Sequence, residues 1–256
     1  MGVIDSIKKG FSIAKGSSQL IILIFAFGFV WSLINIPFQG AAPDSPTIPM
    51  IVLGIVFILT SIFMQAGTLG YILEAIKSGS SSLATFKGTG RSAFMRLLGI
   101  GAVVALIMLI LTIVIILIAT LGGDQVGPIV AILGAALAVV GGVSIFSLFL
   151  APYAVIVDDA GVLPAIKRSI AVVKGNALPL IGMIVMLVLI GFAIGFLMGF
   201  ILGLLASVIS GTAEQVMNGF FTSAVKAYLS VVASGAFMSY YLSLGQSTSS
   251  DSVSTT

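Results

Sequence analysis

Long uncharged apolar runs alternate along the chain with short stretches that hold nearly all of its polar and basic residues. The runs at 20–38, 50–73, 97–121, 128–150, 178–205 and 219–244 can each cross a bilayer as a helix, which takes ~20 apolar residues. The pattern predicts an all-α integral membrane protein with six transmembrane helices. Two of the stretches beside these runs are amphipathic at the helical period of ~100° per residue. In 161–175, Val162, Leu163, Ile166, Ile170 and Val173 share a face, with Lys167, Arg168 and Lys174 on or beside the other. In 2–16, Val3, Ile4, Ile7, Phe11 and Ala14 repeat that face opposite Lys8, Lys9 and Lys15. Both stretches are expected to be surface helices on the membrane.

The connections are of several kinds. Pro37 to Pro49 holds four prolines and reads as an irregular loop. In the basic connector 74–96, Gly88 and Gly90 interrupt the period, so only a short helix is expected there. Gly122 to Asp124 reads as a tight turn. The apolar run that begins near Leu178 continues to Ile209, longer than a bilayer requires, and carries Gly191, Gly195, Gly199 and Gly203 at intervals of four. Small residues at that spacing let backbones approach, so this span is expected to be the central packing helix. Residues 1–245 read as one polytopic domain and 246–256, rich in serine and threonine, as a disordered tail. Lys8 and Lys9 before an apolar run also fit a signal peptide, but the run is longer than that reading needs, so a retained helix is expected.

Without gaps, Gly2, Val3, Ile7, Lys8, Lys15 and Gly16 match Gly161, Val162, Ile166, Lys167, Lys174 and Gly175. A basic segment followed by two spans then occurs three times, starting at Gly2, Gly79 and Gly161. A true internal repeat and independent basic helices beside membrane spans both account for this.

If six spans alternate in direction, three basic segments fall on one side. They carry Lys8, Lys9 and Lys15; then Lys77, Lys87, Arg91 and Arg96; then Lys167, Arg168 and Lys174, which is ten of the eleven basic residues. Asp44, Asp124 and Glu214 fall on the other side. The positive-inside rule therefore predicts a multi-pass protein of the cell membrane with both termini cytoplasmic. Lys8, Lys9, Lys15, Lys167, Arg168 and Lys174 are the expected contacts to anionic lipid.

Composition narrows the chemistry. The chain is 59% hydrophobic and 7% charged, too few charges to cover a soluble exterior. It has no cysteine and no histidine, which excludes disulfides, thiolate nucleophiles and imidazole bases or ligands. No phosphate-binding glycine loop or zinc signature is present, and no aromatic-basic interleaving for nucleic acid. Asp158 and Asp159 are paired carboxylates that could bind a cation or share a proton, or could sit before a helix N-terminus, where negative charge is favoured. Lys226 is the one basic residue outside the cytoplasmic set. It is expected near the outer end of the sixth span, reaching the interface or pairing with Glu214, or facing a polar pathway. Ser230, four residues on, would allow a Ser-Lys dyad. Gln65 in the second span is expected to hydrogen-bond between helices.

Pro152-Tyr153, Asp158-Asp159, Gly161, the run Ala165 to Ser169 and Lys174-Gly175-Asn176 form the connector before the fifth span. In these residues the chain resembles the membrane domain attached to some glycerophosphoryl diester phosphodiesterases, and related uncharacterised multi-span bacterial and archaeal membrane proteins. The likeness is strongest over 145–200. The resemblance implies an all-helical membrane domain and no settled activity. Phosphodiesterase catalysis is not carried over, because the chain has neither the soluble barrel domain nor a histidine.

The expected function is that of a non-enzymatic membrane scaffold or accessory protein, with no cofactor. Its expected partners are the bilayer, anionic lipids, and a second copy or another membrane protein, not nucleic acid. The alternative is a small-solute or lipid transporter or channel. A third reading, a lipid-directed enzyme, requires Asp158-Asp159 or Lys226-Ser230 to face a cavity.

Overall fold

The computed structural model describes residues 1–38, 48–122, 127–206 and 209–251. Most of the proline-rich loop and of the Gly122–Asp124 turn expected from the sequence lie outside the described residues. The chain is all-α: α1 (Val3–Gly16), α2 (Ser18–Asn35) with a closing 3-10 turn (Ile36–Phe38), α3 (Ile48–Ser78), α4 (Leu83–Gly122), α5 (Gly127–Leu148), α6 (Ala151–Val157), α7 (Val162–Ala206) and α8 (Thr212–Asp251). Six of these elements, α2 to α5 with α6 extending the fourth, then α7 and α8, include stretches long and apolar enough to cross a membrane. Their outward faces carry large apolar side chains, Ile48, Leu178 and Phe192 among the most exposed. Such faces suit hydrocarbon, and a helix satisfies its own backbone polar groups, as that solvent demands. The molecule is a multi-pass membrane protein.

Two compact units make up the chain, 1–92 with 178–256, and 93–177, where the sequence suggested one domain.

The first unit is built on α8. Of its apolar window 39% is buried, against 17% or less for each of the other five spans. Small residues recur along one side of it, Gly219, Ser223, Ala227 and Gly235, with Val231 in the same row. Against them run α1 and α2, antiparallel to α8. Gly219 meets Ser32, Ser223 lies against Gly28, and Gly235 lies against Gly10. At the last crossing a methyl group on Gly10 would strike the Val232 carbonyl and the Ala236 backbone. Only glycine allows backbones this close. Phe11 rests beside Tyr228, ring centroids 6.2 Å apart. Thus α1 buries Ser6, Ile7, Gly10 and Ala14 on α8 and leaves Lys8, Lys9, Lys15 and also Ile4 exposed.

This seam corrects the expectation for Gly191, Gly195, Gly199 and Gly203. Among the described residues, nothing lies within 4 Å of where a side chain would begin at Gly195, Gly199 or Gly203, and Gly191 has Leu229 at 3.8 Å. The central packing helix is α8, whose small residues are partly serine and alanine and so are less conspicuous than a row of glycines.

The α3–α4 hairpin interlocks in the same way. Phe86 fills the space beside Gly67, Thr89 that beside Gly70, and Phe63 that beside Gly90. Of the two glycines expected to break the connector, Gly90 instead receives Phe63, Gly88 has open space beside it, and α4 runs unbroken from Leu83 into its span. The turn is made by Gly79 at φ +76°, whose N–H donates to Ala75 O at 3.1 Å, and by Ser82, whose hydroxyl accepts from Thr85 N at 3.3 Å.

In the second unit, α6 buries Ala151, Tyr153, Ala154 and Val155. The first turns of α7 bury Ala165, Ser169 and Val173, while Leu163 and Ile170 stay exposed. The face expected to be apolar is thus divided, because the neighbouring helix selects the small side chains. Helix α7 kinks at Asn176 (φ −135°, ψ 27°). Pro179 lacks the N–H that would reach the 175 carbonyl, and the Asn176 amide donates to Val172 O at 3.0 Å. The three expected repeat starts therefore differ: α1 is a separate helix, 83–96 is continuous with its span, and 162–175 is joined to its span through a kink. At the far end α8 continues to Asp251, into the stretch expected to be a tail; 252–256 lie outside the described residues.

Replacing Gly10 with valine is expected to lower stability by ~1–3 kcal/mol through overpacking, whereas Gly195→Ala should change it by less than ~0.5 kcal/mol. Thermal unfolding of the detergent-solubilised variants distinguishes the two seams.

Candidate functional site

The first unit contains two polar concavities. One lies where α1 ends and α2 begins, facing the end of α3. It has a volume of about 750 Å³ and is lined by Lys8, Lys9 and Ser12 of α1, Ser17 to Gln19 at the break, and Ser80 and Ser81 after α3. Ser17 is 2% exposed and lies at the α2 N-cap, yet its hydroxyl makes no capping bond. The first N–H groups of α2 are therefore left with the positive end of the helix dipole. The serine run is held in place by Glu74, whose carboxylate accepts from Ser82 N at 3.3 Å while Ser78 Oγ donates to Glu74 O at 2.8 Å. Two ammonium groups, several hydroxyls and a helix N-terminus, with no acid in the lining, suit anionic oxygens.

The second concavity is a groove of about 590 Å³ between α8, α2 and α3. Its α8 wall is a polar stripe, Gln215, Asn218, Thr222, Lys226 and Ser230, at spacings of three and four. Its other wall is aromatic: Trp31 stacks on Phe57 at 4.5 Å and Phe27 lies 5.9 Å from the same ring. Asn35 closes one end, its amide donating to Trp31 O at 2.8 Å.

Lys226 lies fourteen residues into α8, which begins at Thr212, seven residues earlier than the expected start of the sixth span. It does not pair with Glu214. The two are twelve residues apart on one helix, or ~18 Å, and no ion pair of Lys226 is found among the described residues. Ser230 shares the groove with Lys226, but no hydrogen bond joins them. Gln65 is exposed and bonds no other helix among the described residues.

The paired acids of the second unit hold arginines. Asp159 accepts from Arg96 at 2.6 Å and Asp158 from Arg168 at 2.7 Å. Asp159 sits at φ +50°, a conformation aspartate tolerates better than most residues. No cluster of three acids able to hold a metal occurs among the described residues. Arg168, grouped at the sequence level with the lipid contacts, is thus engaged within the protein, while Lys167 and Lys174 remain exposed. Nearby, the buried Ser169 hydroxyl accepts from Leu150 N at 3.1 Å and donates to Ser147 O at 2.7 Å, bridging the break between α5 and α6.

Sequence reasoning missed Ser17, Ser169 and most of the α8 stripe. The stripe had a readable signal, five polar residues at helical spacing, three of them (Thr222, Lys226 and Ser230) inside an apolar run. Ser17 and Ser169 had none beyond being hydroxyls.

Together these features define a multi-pass helical membrane protein with two polar concavities in one helical unit. The chain belongs to a family described as Domain of unknown function (DUF7847), which it matches over residues 1–244. That fits the resemblance to uncharacterised membrane proteins; the match carries no phosphodiesterase link. No curated protein and no solved structure matches the chain.

Ser169→Ala leaves the buried Leu150 N–H without a partner and is expected to cost about 1–3 kcal/mol. Ser239, whose buried hydroxyl has no partner among the described residues, should tolerate alanine with unchanged or higher stability. Chemical denaturation of both variants in detergent checks the contrast.

Proposed function

We propose that this protein is a non-enzymatic membrane scaffold or accessory protein that holds anionic lipid at its basic face, with both termini cytoplasmic. The observation that carries this reading is the basic concavity. Lys8 and Lys9 project beside an uncapped helix N-terminus and a ring of serine hydroxyls, and no carboxylate in the lining competes for them. A lipid phosphate would take hydroxyl and N–H donors at its oxygens and the two ammonium groups as counter-charge. The shape of α1 supports the same view. One face packs on α8, and Lys8, Lys9 and Lys15 are left exposed, free to reach lipid head groups.

A second reading, a small-solute or lipid transporter, draws on the polar stripe of α8. A polar-lined groove along a membrane-spanning helix is what a carrier needs and a mere scaffold does not.

Each lysine near an anionic surface contributes ~1 kcal/mol, so the Lys8→Gln, Lys9→Gln double variant should bind anionic lipid roughly thirtyfold more weakly. Native mass spectrometry of the detergent-purified chain, offered phosphatidylglycerol and phosphatidylcholine together, reads this directly. Equal retention of both lipids by the unaltered chain refutes the lipid assignment. Because the chain has no cysteine, Lys87→Cys and Lys167→Cys report sidedness cleanly. An impermeant thiol reagent should reach both from the cytoplasmic face alone, and opposite accessibility would overturn the orientation.

A further inference from the structure

The groove along α8 contains a cation, Lys226, whose depth along the spans can be read from the register of the helices. The contacts of α2 set that depth. With eighteen residues, α2 is ~27 Å long, close to the thickness of a bilayer core. The Gly28–Ser223 and Ser32–Gly219 contacts fix the register of the two antiparallel helices, which puts Lys226 level with Phe25. Phe25 is ~10 Å from the first residue of α2 and ~15 Å from the last. Lys226 therefore belongs to the interior of the span, where an unpaired ammonium is unfavourable and marks a functional group by default.

Among the described residues, the lining of the groove offers this ammonium neutral hydroxyl and amide groups, and Glu214 is several turns away on the same helix. The wall opposite is Trp31, Phe27 and Phe57. One side of the groove thus suits a negative head group and the other a hydrocarbon chain. The volume lies in the range of small-ligand sites and suits a head with a single chain.

We infer that the groove between α2, α3 and α8 binds a single-chain anionic amphiphile, of the carboxylate or phosphate-monoester class, that enters from the bilayer with its head on Lys226 and its chain on the aromatic wall. Thr222 and Ser230, one turn to either side of Lys226, offer hydroxyl donors to the same head group. This site is separate from the basic concavity, and it stands or falls independently of it.

Trp31 is the only tryptophan of the chain and lines the groove, so its fluorescence reports occupancy. The full chain is placed in phosphatidylcholine nanodiscs in mildly alkaline buffer and titrated with dibrominated stearate, whose bromines quench tryptophan. The methyl ester of the same acid serves as the neutral probe, and acetate as the water-borne anion. Saturable quenching by the acid is expected at a concentration about tenfold or more below that of the ester. Lys226→Gln should move the acid to the ester's curve, Lys226→Arg should stay within about threefold of the native chain, and Lys87→Gln should change nothing. The inference is overturned if acid and ester quench alike in the native chain. It is also overturned if Lys226→Gln leaves the acid curve in place, or if acetate displaces the acid, which would make the ligand a soluble anion. Self-crosslinking through Ser230→Cys without saturable quenching would instead assign the groove to a second copy of the chain. If the glutamine variant does not fold, the acid–ester comparison and Lys226→Arg still decide.

Discussion

Helix α8 can hold its unit together because α1 and α2 come within backbone contact of it. Among lipids, helices gain little by burying apolar side chains in one another, since hydrocarbon is already an apolar solvent. They associate through close packing, and close packing needs small residues. Gly219, Ser223 and Gly235 on α8 meet Ser32, Gly28 and Gly10 on their neighbours. A single added methyl at Gly10 would meet backbone on the other side, which cannot rotate away as a side chain can. The α3–α4 hairpin uses the same device in reciprocal form, with Gly67, Gly70 and Gly90 receiving a ring or a threonine from the other helix.

The seam also creates the groove. On a helix of 3.6 residues per turn, residues next to the contact line sit just to its side. Ser223 and Ala227 are buried in the contact, while Thr222 and Lys226, one position earlier, face the space beside it. Closely apposed backbones and a polar channel thus come from one helical face and its neighbour. The aromatic residues of α2 and α3 then line the side on which the small residues have left room.

Charge is distributed unevenly between arginine and lysine. Among the described residues, both ion pairs are made by arginines, Arg96 with Asp159 and Arg168 with Asp158. These pairs are partly exposed and contribute little to stability, about 1 kcal/mol or less each. Their effect is to occupy the acidic pair, which accounts for Asp158 and Asp159 without a bound cation. The lysines are left to face solvent, lipid or the groove, as suits a compact and readily hydrated charge on a flexible stem.

Six spans, their order and the confinement of nearly all the cations to the segments between them were legible in the sequence, because each depends on local composition. A run without charge is long enough or it is not, and no distant residue alters that. Boundaries were less legible: α4 runs through Gly88 and Gly90 because Phe63 packs beside Gly90, a fact of tertiary contact. The four glycines of α7 and the small residues of α8 have the same spacing, and spacing cannot say which row another helix will meet. Likewise Lys226 was visible as an isolated cation, but its depth required the register of α2 against α8. Sequence by itself determined that this chain carries six helices fit for a membrane and which segments hold its charges, since water and hydrocarbon sort residues one at a time. Only the tertiary structure decided which backbones touch, and hence where the polar groove lies, since contact is a property of pairs.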